Sequence, residues 1–338
     1  MADQIPNSKV LLGSLLKDVS RSFYLTLRVL PASVRPQIGL AYLLARASDT
    51  IADTELIPVD QRLAALQKFR ARLDGSEPKA FSLRELAQKQ GAESERILLE
   101  HSEAALGLLA GLAVSDQTLI RQVLEIIISG QELDLRRFAG ASHENIIALK
   151  TPAELDDYTY RVAGCVGEFW TKICRAHVFP QAELNDIFLL QNSVRFGKGL
   201  QLVNILRDMP ADLRTGRCYL PAEQLAGCSL TPADLLNPET EPRVRPVYNA
   251  WLDRAETDLR AGWAYTNALP RTNMRIRLAC AWPILLGLET IRLLRSERVL
   301  DCDHRLKAGR GFVRKMMLRS ILLHPFPKKW TALAGSGN

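Results

Sequence analysis

The sequence is poor in most of what a strand-built or disulfide-stapled protein needs. Aromatic residues make up only 7% of the 338 positions. Few stretches alternate strictly between apolar and polar, and no Asn-Gly or Asp-Gly pair lies between two β-branched runs, so no hairpin-built sheet is expected. The six cysteines (Cys165, Cys174, Cys218, Cys228, Cys280 and Cys302) show no CxxC spacing and no histidine at metal-site distance. That excludes a zinc ribbon and a disulfide framework and leaves reduced thiols as the expectation. GxGxxG is missing too, so nothing independent marks a nicotinamide site. The amino-terminal stretch is interrupted by charges before a signal core can form. The longest apolar run, Leu278 to Leu294, is broken by Pro283 and Glu289 and falls short of the ~20 residues of a membrane span. The expected setting is the cytoplasm, with peripheral association on the membrane face.

What is present is helical periodicity. With 47% hydrophobic and 24% charged residues and a mean hydropathy of -0.04, the composition is that of a folded globular protein. Helices are expected over 8–27, 32–53, 59–74, 82–91, 94–112, 116–138, 152–176, 181–210, 221–226, 231–235, 243–268, 272–296 and 305–323. No linker or fixed-period repeat divides them, which predicts one all-α domain over 1–338. The net charge of +7 calls for an anionic partner. Nucleic acid is excluded because the cations are not interleaved with stacking aromatics in any known module. From residue 301 onward Arg305, Lys307, Arg310, Arg314, Lys315, Arg319, Lys328 and Lys329 face only Asp301 and Asp303. The segment FVRKMMLRSILLHPFPKKW mixes these cations with apolar residues as interfacial helices do, and its end is expected as a basic tail from about 320. A bundle helix with one solvated face and a frayed tail accounts for it equally.

Two aspartate pairs carry the chemistry: Asp49 with Asp53 in GLAYLLARASDTIADTE, and Asp208 with Asp212 in LQLVNILRDMPADL. Residues i and i+4 share a helix face, so each pair presents two carboxylates together. Alone, such a pair usually marks a solvated face. Here the helix before Asp49 is apolar almost all round, which predicts burial, and buried carboxylates need a cation. Mg²⁺ suits them, since it binds through one or two carboxylates while phosphates and water supply its other oxygens. Counting back along each face gives Arg46 and Tyr42 before Asp49, and Asn204 and Gln201 before Asp208. A guanidinium beside such a site suits a diphosphate. Pro210, between Asp208 and Asp212, removes one helical hydrogen bond and is expected to alter the angle of Asp212.

The blocks SRSFYLTLRVLP (20–31), AYLLARASDTIAD (41–53), DYTYRVAGCVG (157–167) and QLVNILRDMPADLRTGRCYLP (201–221) resemble, in order and spacing, the signature blocks of the squalene/phytoene synthase family. The resemblance implies an all-α isoprenoid-synthase fold, a bundle around a central cavity in which two aspartate motifs hold Mg²⁺ over two prenyl diphosphates. By position, Asp49, Asp53, Asn204, Asp208 and Asp212 would be metal-site residues. Arg21, Arg46, Arg207 and Arg217 would contact diphosphate, and Ser20, Ser22, Phe23, Tyr42, Val162 and Gln201 would line the substrate cavity. Tyr158 matches a tyrosine with an acid/base or cation-stabilising role. From the residues alone, Tyr158, Val162, Val166 and Phe169 form a stripe that would ordinarily be core, and the small Ala163, Gly164 and Gly167 admit either a neighbouring helix or a prenyl chain.

The implied reaction is the head-to-head joining of two farnesyl diphosphates through a cyclopropyl diphosphate. LKAGRGFVRKMM resembles the basic segment with which squalene synthases hold NADPH, with Lys307, Arg310 and Lys315 as its phosphate contacts, so reduction to squalene is expected. RTGRCYLP is closer to the form in phytoene synthases, which with dehydrosqualene synthases end without reduction. A non-catalytic helical adaptor on a membrane surface is the alternative of another class.

Overall fold

The computed structural model describes residues 10–20, 23–79, 82–301 and 306–335. The all-α expectation holds: among these residues the only strands are two of two residues each. The chain divides into two compact units, 1–136 with 172–180 and 137–171 with 181–338.

In the first unit a π-helical turn, Val10–Leu15, leads into α1 (Leu16–Ser20) and α2 (Tyr24–Val29). There follow α3 (Arg35–Asp53), α4 (Val59–Asp74), α5 (Arg84–Gln88), α6 (Glu93–Glu100), α7 (Ser102–Ala110) and α8 (Val114–Arg137). Pro36 lies in the first turn of α3, where a missing N–H costs little. Leu43, Leu44 and Ile51 of this helix are fully buried and, with Leu66 and Phe69 of α4, belong to the core. The helix expected over 94–112 breaks at His101. There the Ser102 hydroxyl donates to the Leu99 carbonyl at 2.9 Å, one of the local bonds that compete with helix continuation. Buried Asp116 locks the unit from inside, accepting from Gln37 at 3.1 Å and lying 2.7 Å from the His177 ring.

The second unit holds β1 (Ile147–Ala148), α9 (Pro152–Thr159), a π-helical segment Tyr160–Gly164 and the start of α10 (Cys165–His177). After them come α11 (Asp186–Arg214), β2 (Arg217–Cys218), α12 (Ala222–Gly227), α13 (Glu241–Ala268), α14 (Met274–Ser296), α15 (Arg310–Leu323) and α16 (Pro327–Thr331). The uniform helix expected over 152–176 is thus interrupted at 160–164. Here the backbone runs against α11. A Cβ on Gly167 would stand 2.0 Å from the Ser193 carbonyl, and one on Gly197 would stand 2.2 Å from that of Ala163. The small residues therefore admit a neighbouring helix. Such single-turn π segments recur at functional sites.

Along α13, Asp258 is fully buried and accepts from Arg195 and Arg254, each at 2.9 Å, which compensates its desolvation. Residues 320–335 form no frayed tail. Ser320 accepts from the Trp282 indole at 2.9 Å, and Trp330 is buried, stacked on Trp263 at 5.3 Å. Burial pushes the thiols of Cys165, Cys218 and Cys280 up to about 12, so they stay protonated. Cys302 lies outside the described residues.

Candidate active site

The first aspartate motif is less buried than its sequence predicts. Helix α3 packs Leu40, Leu43, Leu44, Ala47 and Ile51 inward, but Tyr42 and Arg46 are half-buried, the Asp49 side chain is 40% exposed and Asp53 is exposed. The helix is apolar on all sides but one, and the polar stripe occupies that open side. Arg46 ion-pairs Asp49 through one terminal nitrogen and Glu95 of α6 through the other, at 2.5 Å. Burial of the guanidinium works against its charge, yet Asp49 and then Glu95 outweigh it and hold the pKa above the ordinary arginine value. Phe23 stacks on Tyr42 at 4.9 Å, which orders the face one turn before Arg46. Ser20 is buried, and its hydroxyl has no hydrogen-bond partner among the described residues. Arg21 and Ser22 lie outside the described residues.

The second motif lies near the end of α11. Gln201, Arg207, Asp208 and Asp212 are half-buried and Asn204 is exposed. The helix carries on through Pro210 to Arg214, so Asp212 remains helical. Arg207 grips its neighbour Asp208 with both ends of its fork, at 3.0 and 2.5 Å. Just beyond the helix Gly216 turns the chain at φ +88°, where a Cβ would stand 2.3 Å from the Ser142 nitrogen. This turn delivers Arg217 into β2, in parallel register with Ile147.

Tyr158 is half-buried on α9 and Val162 half-buried beside it. Val166 is 37% exposed, and only Phe169 of that stripe is core. The expectation of a buried core stripe is therefore overturned. The Tyr158 ring stacks on Tyr219 at 4.9 Å with the hydroxyls 3.4 Å apart, and Phe138 meets the far ring edge-on at 5.2 Å. Tyr219 and Glu95 were not singled out from the sequence. Tyr219 stands in the RTGRCYLP block beside Arg217, a position that could have flagged it; Glu95, on another helix, carries no local signal. Lys307, Arg310 and Lys315 are all exposed, the last two on α15.

Both motifs sit at the carboxyl ends of their helices, where the backbone dipole is negative and further carboxylates are unfavourable. A cation relieves that cost. No group of three or more metal-capable side chains occurs among the described residues. Each motif instead offers two hard oxygen donors, and the second adds the Asn204 amide. That donor set fits Mg²⁺ completed by ligand oxygens and water.

The model of the squalene/phytoene synthase family matches residues 16–310. The chain belongs to this family. Among its relatives is a presqualene diphosphate synthase of Rhodopseudomonas palustris, 31% identical over 74% of this chain and 76% of the relative. A bifunctional lycopene cyclase/phytoene synthase of Gibberella fujikuroi is 31% identical over 72% of this chain, which spans 40% of that relative's length. Among solved structures, TcSQS in complex with a ligand superposes with a TM-score of 0.78 at 24% identity, covering 98% of this chain and 92% of the other. That likeness speaks for the fold shared by the squalene/phytoene synthases.

Proposed function

We propose that the chain joins two farnesyl diphosphates head to head to give presqualene diphosphate. The observation that carries this reading is the pair of aspartate stripes, each with an arginine on its first carboxylate, in a chain that matches a presqualene diphosphate synthase over most of both lengths. Asp49, Asp53, Asn204, Asp208 and Asp212 would hold Mg²⁺, which when bound stabilises charge on a departing diphosphate. Arg46, Arg207 and Arg217 bind diphosphate oxygens through their planar forks. Loss of diphosphate from the donor leaves an allylic cation. The double bond of the second substrate attacks it, and the proton lost on closing the cyclopropane ring passes by way of the Tyr158 hydroxyl to an oxygen of the departed diphosphate, while the Tyr158 ring face steadies the cation. Val162, half-buried beside Tyr158, keeps water from the cation there.

A further step to squalene rests on Lys307, Arg310 and Lys315, exposed cations whose chemistry fits the phosphates of NADPH, the source of hydride for such a reduction. The competing product is an unreduced hydrocarbon, dehydrosqualene or phytoene, and the Gibberella relative favours it by name. Incubation with Mg²⁺ and either farnesyl diphosphate, whose two C15 units give the C30 products, or a C20 prenyl diphosphate, whose two units give C40 phytoene, each with and without NADPH, decides among them. Presqualene diphosphate without NADPH and squalene with it support both steps. Presqualene diphosphate under both conditions supports the first alone. An unreduced hydrocarbon at full rate, indifferent to NADPH, overturns the reduction, and no diphosphate release from either substrate overturns the enzyme.

A further inference from the structure

Helix α15 has one face in the protein and an unusual one in the solvent. Met316 and Ser320 are buried, whereas Leu318 is 58% and Leu322 60% exposed. At 3.6 residues per turn the two leucines fall one above the other, roughly opposite Met316 and Ser320. On the same geometry Arg310 and Arg314 border this ridge on one side and Lys315 and Arg319 on the other, all exposed. Ile321, 40% exposed, falls between Arg310 and Arg314 on the same geometry. An apolar ridge between two rows of cations is the reverse of a solvated helix face, which would put its charges outermost.

The ridge is held in place from behind. Trp330 is stacked on Trp263, meets His324 edge-on at 5.0 Å, lies 5.0 Å from the Arg277 guanidinium and donates to Asn267 at 2.8 Å. The Trp282 bond to Ser320 fastens α15 itself. Phe326, Lys328 and Lys329, between these anchors, are exposed as well. A surface ordered in advance loses little conformational entropy on docking.

We infer that this face of α15, with Leu318 and Leu322 at its centre, docks on an anionic lipid bilayer, the leucines entering the headgroup boundary and Arg314 and Arg319 on either side meeting lipid phosphates. Charge selects this occupant. Residues 306–335 carry seven lysines and arginines and no acidic residue, so a second copy of the same face is repelled. The inference does not depend on the catalytic reading.

The test is co-sedimentation of the full chain with vesicles of phosphatidylcholine alone and of phosphatidylcholine mixed with phosphatidylglycerol. Binding is expected to the mixed vesicles and to weaken with salt. Each cation near an anionic surface contributes roughly fivefold in partitioning, so Arg314→Gln with Arg319→Gln should weaken binding by about 25-fold. Leu318→Gln with Leu322→Gln should weaken it by at least about fivefold, and melting curves should show both variants folded, since the four side chains are exposed. Equal binding to neutral vesicles, no binding to either, or full binding by either variant overturns the inference. So does self-association without lipid that the leucine variant abolishes, which would make the ridge a contact between copies.

Discussion

The two aspartate motifs look alike in sequence and differ in how the fold furnishes them. On α3, Arg46 divides its fork between Asp49 and Glu95, an acid from another helix. On α11, Arg207 gives its whole fork to the adjacent Asp208. The first arginine is thus fixed by tertiary structure, and the second by its immediate neighbour. Beyond the second motif the Gly216 turn places Arg217 two residues from Tyr219, which stacks on Tyr158. The second motif therefore continues into the aromatic pair, whereas the first ends at Thr54. Two similar DxxxD stripes lend themselves to unequal work.

The largest expected effect tests whether the two motifs are equally necessary. Asp49→Asn and Asp208→Asn should each lower diphosphate release from farnesyl diphosphate by at least about 10³-fold, the scale of removing a main electrostatic contact to the transition state. Stability should barely change, because each lost ion pair is partly exposed and contributes about 0–1 kcal/mol. A variant with near-normal turnover would show that its motif holds no essential cation.

Next in size is the tyrosine pair. Tyr158→Phe should cost about 10²-fold or more in turnover if its hydroxyl serves the proton transfer. Tyr219→Phe keeps the stack and removes only the hydroxyl 3.4 Å away, so a loss of roughly tenfold is expected. Tyr219→Ala should instead destabilise the fold by about 3 kcal/mol, because the ring is 7% exposed and packed between Tyr158 and Phe138. If Tyr219→Phe matches the wild type while Tyr158→Phe does not, the second phenol is packing alone.

Glu95 sharpens the contrast between the arginines. Glu95→Gln leaves Asp49 to hold Arg46 alone, and the loss of a partly buried ion pair corresponds to about 1 kcal/mol. The expectation is a KM for farnesyl diphosphate raised about two- to fivefold with kcat within about twofold. A changed kcat with constant KM would move Arg46 from binding the substrate to stabilising the transition state.

Glu95 also shows where sequence reading stops. The helices were legible because apolar residues recur at 3.6, and α4 and α14 fall on or close to their expected bounds. The aspartate stripes were legible because i and i+4 share a face by geometry alone. Asp49 was expected to be buried because its helix is apolar nearly all round, yet periodicity does not say whether a neighbour covers the last open side. Glu95 to Arg46 and Tyr158 to Tyr219 join residues 49 and 61 positions apart, and only packing brings them together. The π segment at Tyr160–Gly164 was likewise hidden: its glycines were noted, but the backbone of α11 that they meet is a tertiary fact.

The smallest expected effect concerns the helix ends. Asp53 is the last residue of α3, whose final turn holds no basic residue, while Asp212 shares the last turn of α11 with Arg214. A carboxylate at a negative helix pole costs about 0.3–1 kcal/mol, and a cation in the same turn offsets part of it. In metal-free buffer Asp53→Asn should therefore raise stability by a few tenths of a kcal/mol to about 1 kcal/mol, and Asp212→Asn by less. Urea unfolding with chelator present measures both, and excess Mg²⁺ with a diphosphate should shrink or invert the difference, since binding to the native state favours the intact carboxylates. If Asp212→Asn proves the more stabilising, then Arg214 does not offset the helix end, and the electrostatic strain that calls for a cation is greater at the second motif than at the first.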